Sequence, residues 1–426
     1  MKIDKEQLVK VIDFWQKSAR KNKLFERAVL SAVDFKSKEI VDLVGPRRSG
    51  KSSVLKLMIK KLKLKDDFLY LNFEDPFFIE NNNPQIIEDS VDVYREYFNA
   101  NIKYLFLDEI QEIKNWEKAV RKLRDEGSFK IFITGSSSKL LSHELSSLIT
   151  GRHLSYRIFP LSFAEFLNFE GLKISAKKDI ILKEKLLQKK FGEYLEWGGF
   201  PEAVLQKNHE LLKNYFLDIL EKDIMARYEV RDRAMLEKMA VFLLTNSAKI
   251  VTMEALKNNF NLSFETVSAY LEYFKDAFLI FDLPQFSFSL KKQQKAFKKF
   301  YAIDIGLAKN ASFKFSEDRG RVLENAVFLE LKLKRDGLYY YKTKNGLEVD
   351  FFSRENGKNK ELIQVSWSIE DESVREREIK SLFSAMEELK MKKGTVLTYG
   401  ESDTIKKDGK EITVEPVFRW MLEKSI

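Results

Sequence analysis

The chain has 426 residues, of which 44% are hydrophobic and 33% are charged, and its formal net charge is +9. This length allows about two to four domains, and the hydrophobic fraction is sufficient to form their cores. Because the chain contains no cysteine, disulfides, thiolate zinc sites and cysteine nucleophiles are excluded.

Charge and hydropathy also bear on location and partners. Residues 1–6 are too charged for the apolar centre of a signal peptide. No apolar run approaches the ~18 residues that would indicate a membrane-spanning helix. The positive charge permits nucleic-acid binding but does not require it, since an evenly solvated lysine-rich surface gives the same value. His143, His153 and His209 lack metal-ligand spacing. We therefore expect a cytoplasmic protein without a membrane partner.

The first 160 residues alternate helical periodicity with short apolar runs. Residues 1–38 are predicted to be helical, because Leu8, Val11, Ile12 and Trp15 recur at helical spacing. Strands are predicted at residues 40–44, 68–73, 104–107 and 130–134. This alternation indicates an α/β fold with a parallel sheet and helices on both of its faces.

A glycine loop joins the first predicted strand to a predicted helix. Its sequence fits GxxxxGK[ST], the phosphate-binding loop of nucleoside triphosphatases. The predicted nucleotide-binding residues are Gly45, Pro46, Arg47, Arg48, Ser49, Gly50, Lys51, Ser52 and Ser53. The glycines let backbone amides point inward, and the following helix N-terminus favours an anion. Lys51 is expected to reach the β- and γ-phosphates, and the Ser52 hydroxyl to ligate Mg²⁺.

Two acids end the third predicted strand, at the edge of the sheet where ligands bind in open α/β folds. Asp108 is predicted to hold Mg²⁺, and Glu109 to orient or activate the attacking water. Acids are also favoured at a helix N-terminus, but their pairing with a phosphate loop argues for the metal role. At the next strand end, Ser136 is our first candidate for a contact with the γ-phosphate or the water, with Thr134 second. Ser136 could also cap a helix that begins near residue 139.

The rest of the chain divides by pattern. The predicted domains are an N-terminal helix and ATPase core at 1–160, a helical lid at 161–242, a winged-helix-like module at 243–300 and an α/β domain at 301–426. Trp197, Gly198, Gly199, Phe200 and Pro201 indicate a turn within the lid.

The module at 243–300 is predicted from two capped helices and a hairpin. Thr252 and Ser263 are the expected caps, and the hairpin strands are expected at 279–281 and 286–288. Later lysines are interleaved with Phe297 and Phe300; they are Lys291, Lys292, Lys295, Lys298 and Lys299. They could bind phosphates, or they could form the solvated edge of a packing module, which we slightly favour.

The acidic strand end and the Thr134-Gly135-Ser136 turn resemble an AAA+ ATPase core. The order of further motifs resembles archaeal and bacterial ATPases that join an AAA+ domain to a DUF4143-type C-terminal region. These motifs are Gly151-Arg152, Pro160-Leu161-Ser162-Phe163-Ala164-Glu165-Phe166-Leu167 and Gly198-Gly199-Phe200-Pro201-Glu202. The likeness covers about residues 35–370. It implies ATP as the nucleotide and Arg152 as a sensor or an arginine finger for a neighbouring subunit, with Arg157 as a weaker substitute.

The last region resembles the PD-(D/E)xK nuclease fold, in which acids bind a divalent metal. Glu324, Asp350 and Gln364 match the ligand positions. Ser366 stands at the lysine position and cannot supply a positive charge, and Lys342 or Lys344 would have to reach in from elsewhere. The sequence therefore predicts a restriction-endonuclease-like scaffold rather than an active nuclease.

Together these features predict a Mg²⁺-dependent ATPase that couples hydrolysis to domain motion. The sequence does not identify its target, which could be DNA or a protein. A homo-oligomer is possible. The alternative is a nucleic-acid-binding or nuclease protein that uses ATP as a switch.

Overall fold

The computed structural model describes residues 3–20, 24–136, 153–311, 318–335 and 337–424, without the side chains of residues 294–295. The chain divides into two compact units, Met1–Phe159 and Pro160–Ile426. Each unit has a hydrophobic core of its own. None of the helices in the described ranges is long and apolar enough to cross a bilayer.

The first unit is built on a five-stranded parallel sheet with the order β2-β3-β4-β1-β5. The strands are β1 Ile40–Val44, β2 Phe68–Asn72, β3 Tyr104–Asp108, β4 Lys130–Gly135 and β5 His153–Arg157. The predicted α/β class with a parallel sheet is confirmed, and β1 to β4 lie where the sequence predicts them. Strand β5 was not predicted, because it is a half-exposed edge strand and lacks a continuous apolar run.

The first helix of this unit precedes β1, and the other helices connect the strands. They are α1 Lys5–Arg20, α2 Lys51–Lys61, α3 Pro76–Glu80, α4 Gln85–Tyr97 and α5 Trp116–Asp125. The prediction of helix up to residue 38 is wrong, since α1 ends at Arg20. Further along, Asp34 Oδ1 accepts hydrogen bonds from the backbone N–H groups of Lys36 and Ser37. This side chain satisfies amides that a helix would otherwise bond, and it favours a turn there.

The first part of the second unit is helical, as its periodicity predicts. Its helices are α6 Phe163–Phe169, α7 Lys177–Leu182, α8 Glu184–Trp197, α9 Pro201–Gln206, α10 His209–Asp218 and α11 Arg233–Thr245. A reciprocal cap opens α6. The Glu165 N–H donates to Ser162 Oγ (3.3 Å), and the Ser162 N–H donates to Glu165 Oε2 (3.1 Å). This capping box fixes the start of the helix.

The predicted Gly198-Gly199 turn surrounds a buried carboxylate. Asp304 Oδ2 accepts from the Gly199 N–H (2.6 Å), and Oδ1 accepts from the Leu307 N–H (2.8 Å). Gly198 has φ +71°, and a Cβ there would lie 2.2 Å from Asp304 Oδ1. A Cβ on Gly306 would lie 2.3 Å from the Trp197 carbonyl oxygen. The glycines are therefore required by the close approach of two backbone segments around one acid.

A small antiparallel sheet follows, with the order β6-β8-β7. Its elements are β6 Ile250–Val251, α12 Met253–Phe260, α13 Phe264–Asp276, β7 Ile280–Pro284, α14 Leu290–Lys295 and β8 Lys298–Ala302. Both predicted caps are present, since Thr252 accepts from the Ala255 N–H and Ser263 from the Thr266 N–H. The prediction of a strand at 286–288 is wrong. The partner of β7 is β8, and Phe286 lies against the Phe352 ring, with the ring centroids 4.7 Å apart.

The C-terminal part contains a mixed sheet with the order β13-β14-β12-β11-β10-β9. The strands are β9 Leu338–Lys342, β10 Glu348–Glu355, β11 Lys358–Val365, β12 Lys393–Thr398, β13 Asp403–Lys407 and β14 Lys410–Pro416. The helices are α15 Ile305–Ala311, α16 Arg319–Lys334, α17 Glu372–Glu388 and α18 Val417–Glu423. Strands β9 to β11 are antiparallel, and β11, β12 and β14 run parallel.

The buried Asp304 predicts a pH-dependent stability. Burial raises the pKa of Asp304 to about 6, although backbone amides oppose the shift. The folded chain then holds this proton at pH values where the unfolded chain has lost it, so stability should fall as pH rises from about 4 to about 6. The shift corresponds to a loss on the order of 3 kcal/mol. In Asp304→Asn this slope should disappear from urea unfolding measured across the range.

Asp179→Asn is the matched control, because backbone N–H groups of Ser175 and Ala176 lower the pKa of Asp179 instead. Asp179 therefore contributes stability that is lost as pH falls. An unchanged slope in Asp304→Asn would show that Asp304 does not titrate in this way.

Candidate functional site

The phosphate-binding loop lies between β1 and α2 and is shaped by two glycines. A Cβ on Gly45 would lie 2.0 Å from the Ile158 carbonyl oxygen, so only glycine fits there. Gly50 has φ +96° and precedes α2 without a side-chain cap for its amides. Ser49 Oγ is buried and has no hydrogen-bond partner among the described residues. Uncapped amides and an unpaired buried hydroxyl are groups that a bound phosphate would satisfy.

Lys51 points back into the loop. Its side chain is almost fully buried, and Nζ lies 3.2 Å from the carbonyl oxygens of Gly45 and Pro46. Nζ also lies 3.2 Å from Glu109 Oε1. The ammonium group is thus held by two weak acceptors and one carboxylate, at the place where the loop would receive an anion.

Asp108 ends β3 and is fully buried among hydroxyl groups. Tyr70 OH donates to Oδ2 (2.7 Å), Thr134 Oγ1 donates to Oδ1 (2.5 Å), and the Ser52 side chain also bonds to the carboxylate. Burial, followed by the neighbouring Glu109 charge, raises the pKa of Asp108, and the three hydroxyls partly offset this. A cation next to Asp108 would therefore be favoured electrostatically.

Glu109 follows Asp108 in a left-handed backbone conformation, with φ +51°. Its N–H donates to Thr134 Oγ1 (2.8 Å), and its Oε2 accepts from Gln111 Nε2 (2.7 Å). Burial alone would raise the pKa of Glu109, but the Lys51 ammonium and the Gln111 hydrogen bond hold it below its usual value. Glu109 is therefore a carboxylate held at a fixed position beside Lys51.

The structure brings Lys51, Ser52, Asp108 and Glu109 together, as the motifs predict. Ser136, the first candidate, is buried just after β4, and Thr134, the second, contacts both Asp108 and Glu109. The remaining predicted residues lie on the loop or in the first turn of α2. Pro46 is buried, whereas Arg48 and Ser53 are exposed. Arg47 forms an ion pair with Glu74. Arg152 lies outside the described residues. Arg157 is exposed at the end of β5, opposite Val44.

Sequence reasoning missed three contacting residues. Tyr70 is one of several large residues in an apolar strand, and nothing in its pattern distinguishes it from core. Gln111 stands two positions after Glu109, and that spacing could have identified it. Arg27 donates to the carbonyl oxygens of Ser49 (2.9 Å) and Phe159 (2.7 Å) and so fastens the loop. Its contacts are far apart in sequence and leave no local signal.

A second cluster of acids lies in the C-terminal part. Lys299 is only 3% exposed, and its Nζ lies 3.0 Å from Glu324 Oε1, 3.0 Å from Asp350 Oδ1 and 2.7 Å from Glu348 Oε1. The expectation that Lys299 belongs to an exposed basic patch is therefore wrong. Neither Lys342 nor Lys344 enters the cluster, since both are exposed.

Gln364 and Ser366, the other residues predicted for this cluster, are hydrogen-bonded to other parts of the chain. Gln364 Nε2 donates to Glu378 Oε2 (2.6 Å), and Ser366 Oγ donates to the Ser368 carbonyl oxygen (2.8 Å). Burial, with the Asp350 charge, raises the pKa of Glu324 to about 8. Burial opposes the charge on Lys299, but the surrounding carboxylates raise its pKa well above the usual value. Within the described ranges, no group of three or more acidic or histidine side chains is arranged to hold a metal ion.

Among known proteins, the family that matches the first unit covers the phosphate-binding loop and the acidic pair. Residues 37–167 match the AAA domain, residues 188–318 match a domain of unknown function (DUF8612) and residues 319–417 match a domain of unknown function (DUF4143). The phosphate-binding loop, the acidic pair and this match define a protein with an AAA-type ATPase domain, which supports ATP binding. The predicted pairing of an AAA domain with a DUF4143 region is confirmed.

Two relatives place the chain in a family. It is 38% identical to the uncharacterized protein MJ1544 of Methanocaldococcus jannaschii, over 95% of this chain and 92% of that protein. It is 31% identical to an uncharacterized protein of Haemophilus influenzae, over 77% of this chain and 83% of that one. The chain therefore belongs to the same family as MJ1544. The Aeropyrum pernix Orc1 protein, solved in complex with DNA, aligns with 75% of this chain and 93% of its own at 11% identity and a TM-score of only 0.29.

The hydroxyl of Tyr70 should stabilise the first unit through Asp108. Tyr70→Phe keeps the ring and removes one hydrogen bond to a buried carboxylate, so the free energy of unfolding should fall by about 1.5–3 kcal/mol. Urea unfolding measures this change. Tyr104→Phe is the control, because the Tyr104 hydroxyl has no hydrogen-bond partner in the described part of the chain. Equal effects of the two substitutions would contradict the role given to Tyr70.

Proposed function

We propose that the protein is a Mg²⁺-dependent ATPase that couples hydrolysis to domain motion. The observation that carries the proposal is one set of contacts at the edge of the sheet. Lys51 Nζ lies 3.2 Å from Glu109 Oε1, and the Ser52 side chain is hydrogen-bonded to Asp108. A cation, a hydroxyl and two carboxylates thus converge beside a loop with uncapped amides.

The residues present suit a triphosphate with Mg²⁺. The amides of the loop and the first turn of α2 would bind phosphate oxygens, and Ser49 Oγ would gain the partner that it lacks. Ser52 and Asp108 offer the oxygen ligands that Mg²⁺ prefers. Mg²⁺ bound there would neutralise charge on the phosphates. Arg48 lies on the same loop and adds positive charge near it, whereas the charge of Arg47 is paired with Glu74.

The contacts of Lys51 suggest how binding prepares Glu109. A phosphate in the loop would draw the Lys51 ammonium away from the Gly45 and Pro46 carbonyl oxygens and from Glu109. Because Lys51 is what chiefly lowers the pKa of Glu109 against the effect of burial, its departure would let that pKa rise. Glu109 would then accept a proton from water more readily. Gln111 keeps the carboxylate in place during this change.

The remaining parts of the proposal concern the surroundings of the site. Ser136, or Thr134 as the second candidate, would contact the γ-phosphate or the attacking water. Arg152 would act as a sensor or as an arginine finger for a neighbouring subunit in a homo-oligomer. The regions at 161–242, 243–300 and 301–426 would act as lid, winged-helix-like module and restriction-endonuclease-like scaffold, moved by the ATPase cycle.

Two substitutions test the ATPase assignment. Lys51→Ala should abolish nucleotide binding or turnover, because it removes the cation of the loop. Glu109→Gln should leave binding of a fluorescent ATP analogue largely intact and lower the rate of phosphate release by about 10²-fold or more. Glu117→Gln is the matched control, as Glu117 is a partly buried acid in the first turn of α5. Parental turnover by Glu109→Gln would show that Glu109 does not position the water.

The second acidic cluster supports a scaffold rather than a nuclease. The Lys299 ammonium lies within 3.0 Å of oxygens of Glu324, Glu348 and Asp350. A divalent cation bridging these carboxylates would have to take the same position. Because ammonium and metal would exclude each other, Lys299 takes the place that a metal ion would need. We propose that this region does not cleave nucleic acid.

The carboxylates of this cluster are not arranged as a metal site in the parent, but Lys299→Met should free them to rearrange around a cation. Removing the ammonium leaves buried acids unpaired, at a cost of about 3–5 kcal/mol. Mn²⁺ should then raise the melting temperature of Lys299→Met and leave that of the parent unchanged. Lys298→Met is the control, since Lys298 is an exposed neighbour paired with Asp282. A parent chain that Mn²⁺ stabilises as much as the variant, or that cleaves DNA with Mn²⁺, would contradict the scaffold role.

A further inference from the structure

The segment between β7 and β8, residues 285–297, exposes large apolar side chains to solvent. We refer to it as the β7–β8 connector. Phe288, Leu290 and Phe297 are 71%, 75% and 58% exposed. Three such residues in one short segment are unusual for a surface that only contacts water, and they indicate a contact site.

The β7–β8 connector is anchored at both ends to the C-terminal sheet. The Phe286 N–H donates to the Tyr340 carbonyl oxygen (2.8 Å), and Tyr340 OH donates to the Phe297 carbonyl oxygen (2.7 Å). The Phe286 ring is buried against Phe352 and Tyr339. The exposed side chains therefore project from a segment whose two ends are fixed on one strand.

All charged residues of the β7–β8 connector are positive. No acidic residue occurs between Asp282 and Asp304. Lys291 and Lys292 are exposed on α14, and neither has an acidic partner within the described ranges. Lys298 and Lys299 do not contribute, because Lys298 pairs with Asp282 and Lys299 is buried. The accessible positive charge lies on the same short segment as the exposed rings.

An arginine lies over the rings of this segment. The Arg354 guanidinium carbon is 5.2 Å from the centroid of the Phe288 ring and 5.5 Å from that of Phe286. Arginine is attracted to the face of an aromatic ring and also pairs with phosphates. Because Phe288 remains largely exposed, its ring is still open to another planar partner.

We propose that the β7–β8 connector binds single-stranded nucleic acid. Phe288 and Phe297 would stack on unpaired bases, while Lys291, Lys292 and Arg354 would contact phosphates. Exposed rings interleaved with cations are the combination that single-strand binding requires, since every base has a face for stacking and every nucleotide a negative charge. An acid-free segment favours a polyanion over a neutral apolar partner. This binding is independent of the proposed ATP hydrolysis.

The test is fluorescence anisotropy of a labelled single-stranded oligothymidylate with the full chain, without nucleotide and at several salt concentrations. The combined Phe288→Ala and Phe297→Ala variant should bind at least about fivefold more weakly. The combined Lys291→Gln and Lys292→Gln variant should lower the slope of log affinity against log salt by about 1.4, or about 0.7 for each lost phosphate contact. Lys51→Ala should bind like the parent, which separates this proposal from the ATPase.

Matched controls keep the outcome specific to the β7–β8 connector. Phe264→Ala removes an exposed phenylalanine of α13, and the combined Lys185→Gln and Lys189→Gln variant removes two exposed lysines of α8. Both should bind like the parent. Losses in the controls as large as in the connector variants would overturn the proposal. It would also be overturned if the parent failed to bind the oligonucleotide, or if it bound only phosphatidylserine-containing vesicles and lost that binding in the connector variants.

Discussion

The site of the first unit depends on one buried carboxylate, that of Asp108. Burying an acid is costly unless donors surround it. Here the donors are hydroxyls of Tyr70 on β2, Thr134 on β4 and Ser52 on α2. Because they come from three elements, the acid is held only when the strand order and the start of α2 are both in place. The same Thr134 oxygen accepts from the Glu109 backbone, so the position of the second acid follows from that of the first.

The buried acids around Asp108 and those around Glu324 have different kinds of partner. Around Asp108 the partners are mostly neutral hydroxyls, and the nearby cation, Lys51, rests on carbonyl oxygens and Glu109. Such a site retains an electrostatic preference for a further positive charge. Around Glu324 and Asp350 the partner is an ammonium that contacts three carboxylates at once. The first arrangement suits exchange of a ligand, whereas the second suits a permanent contact within the fold.

Features encoded by neighbouring residues could be predicted from the sequence. The phosphate-binding loop, the acidic pair, four of the five parallel strands and the caps Thr252 and Ser263 all depend on short spacings. Contacts between distant segments could not be predicted. In β8, Lys299 and Tyr301 are two residues apart and both contact Glu324, as alternation in a strand requires. In the sequence alone, Lys298 and Lys299 form one basic patch, and it is the alternation of side chains along β8 that separates the exposed lysine from the buried one.

Arg27 has a consequence for how the first unit ends. Its guanidinium joins the carbonyl oxygen of Ser49, inside the phosphate-binding loop, to that of Phe159, the last residue of that unit. The Ile158 carbonyl oxygen also lies where a Cβ on Gly45 would be. The same Arg27 side chain therefore holds both the loop and the peptide that leads into Pro160. Loss of the Arg27 guanidinium would release the phosphate-binding loop and the last peptide of the first unit at the same time.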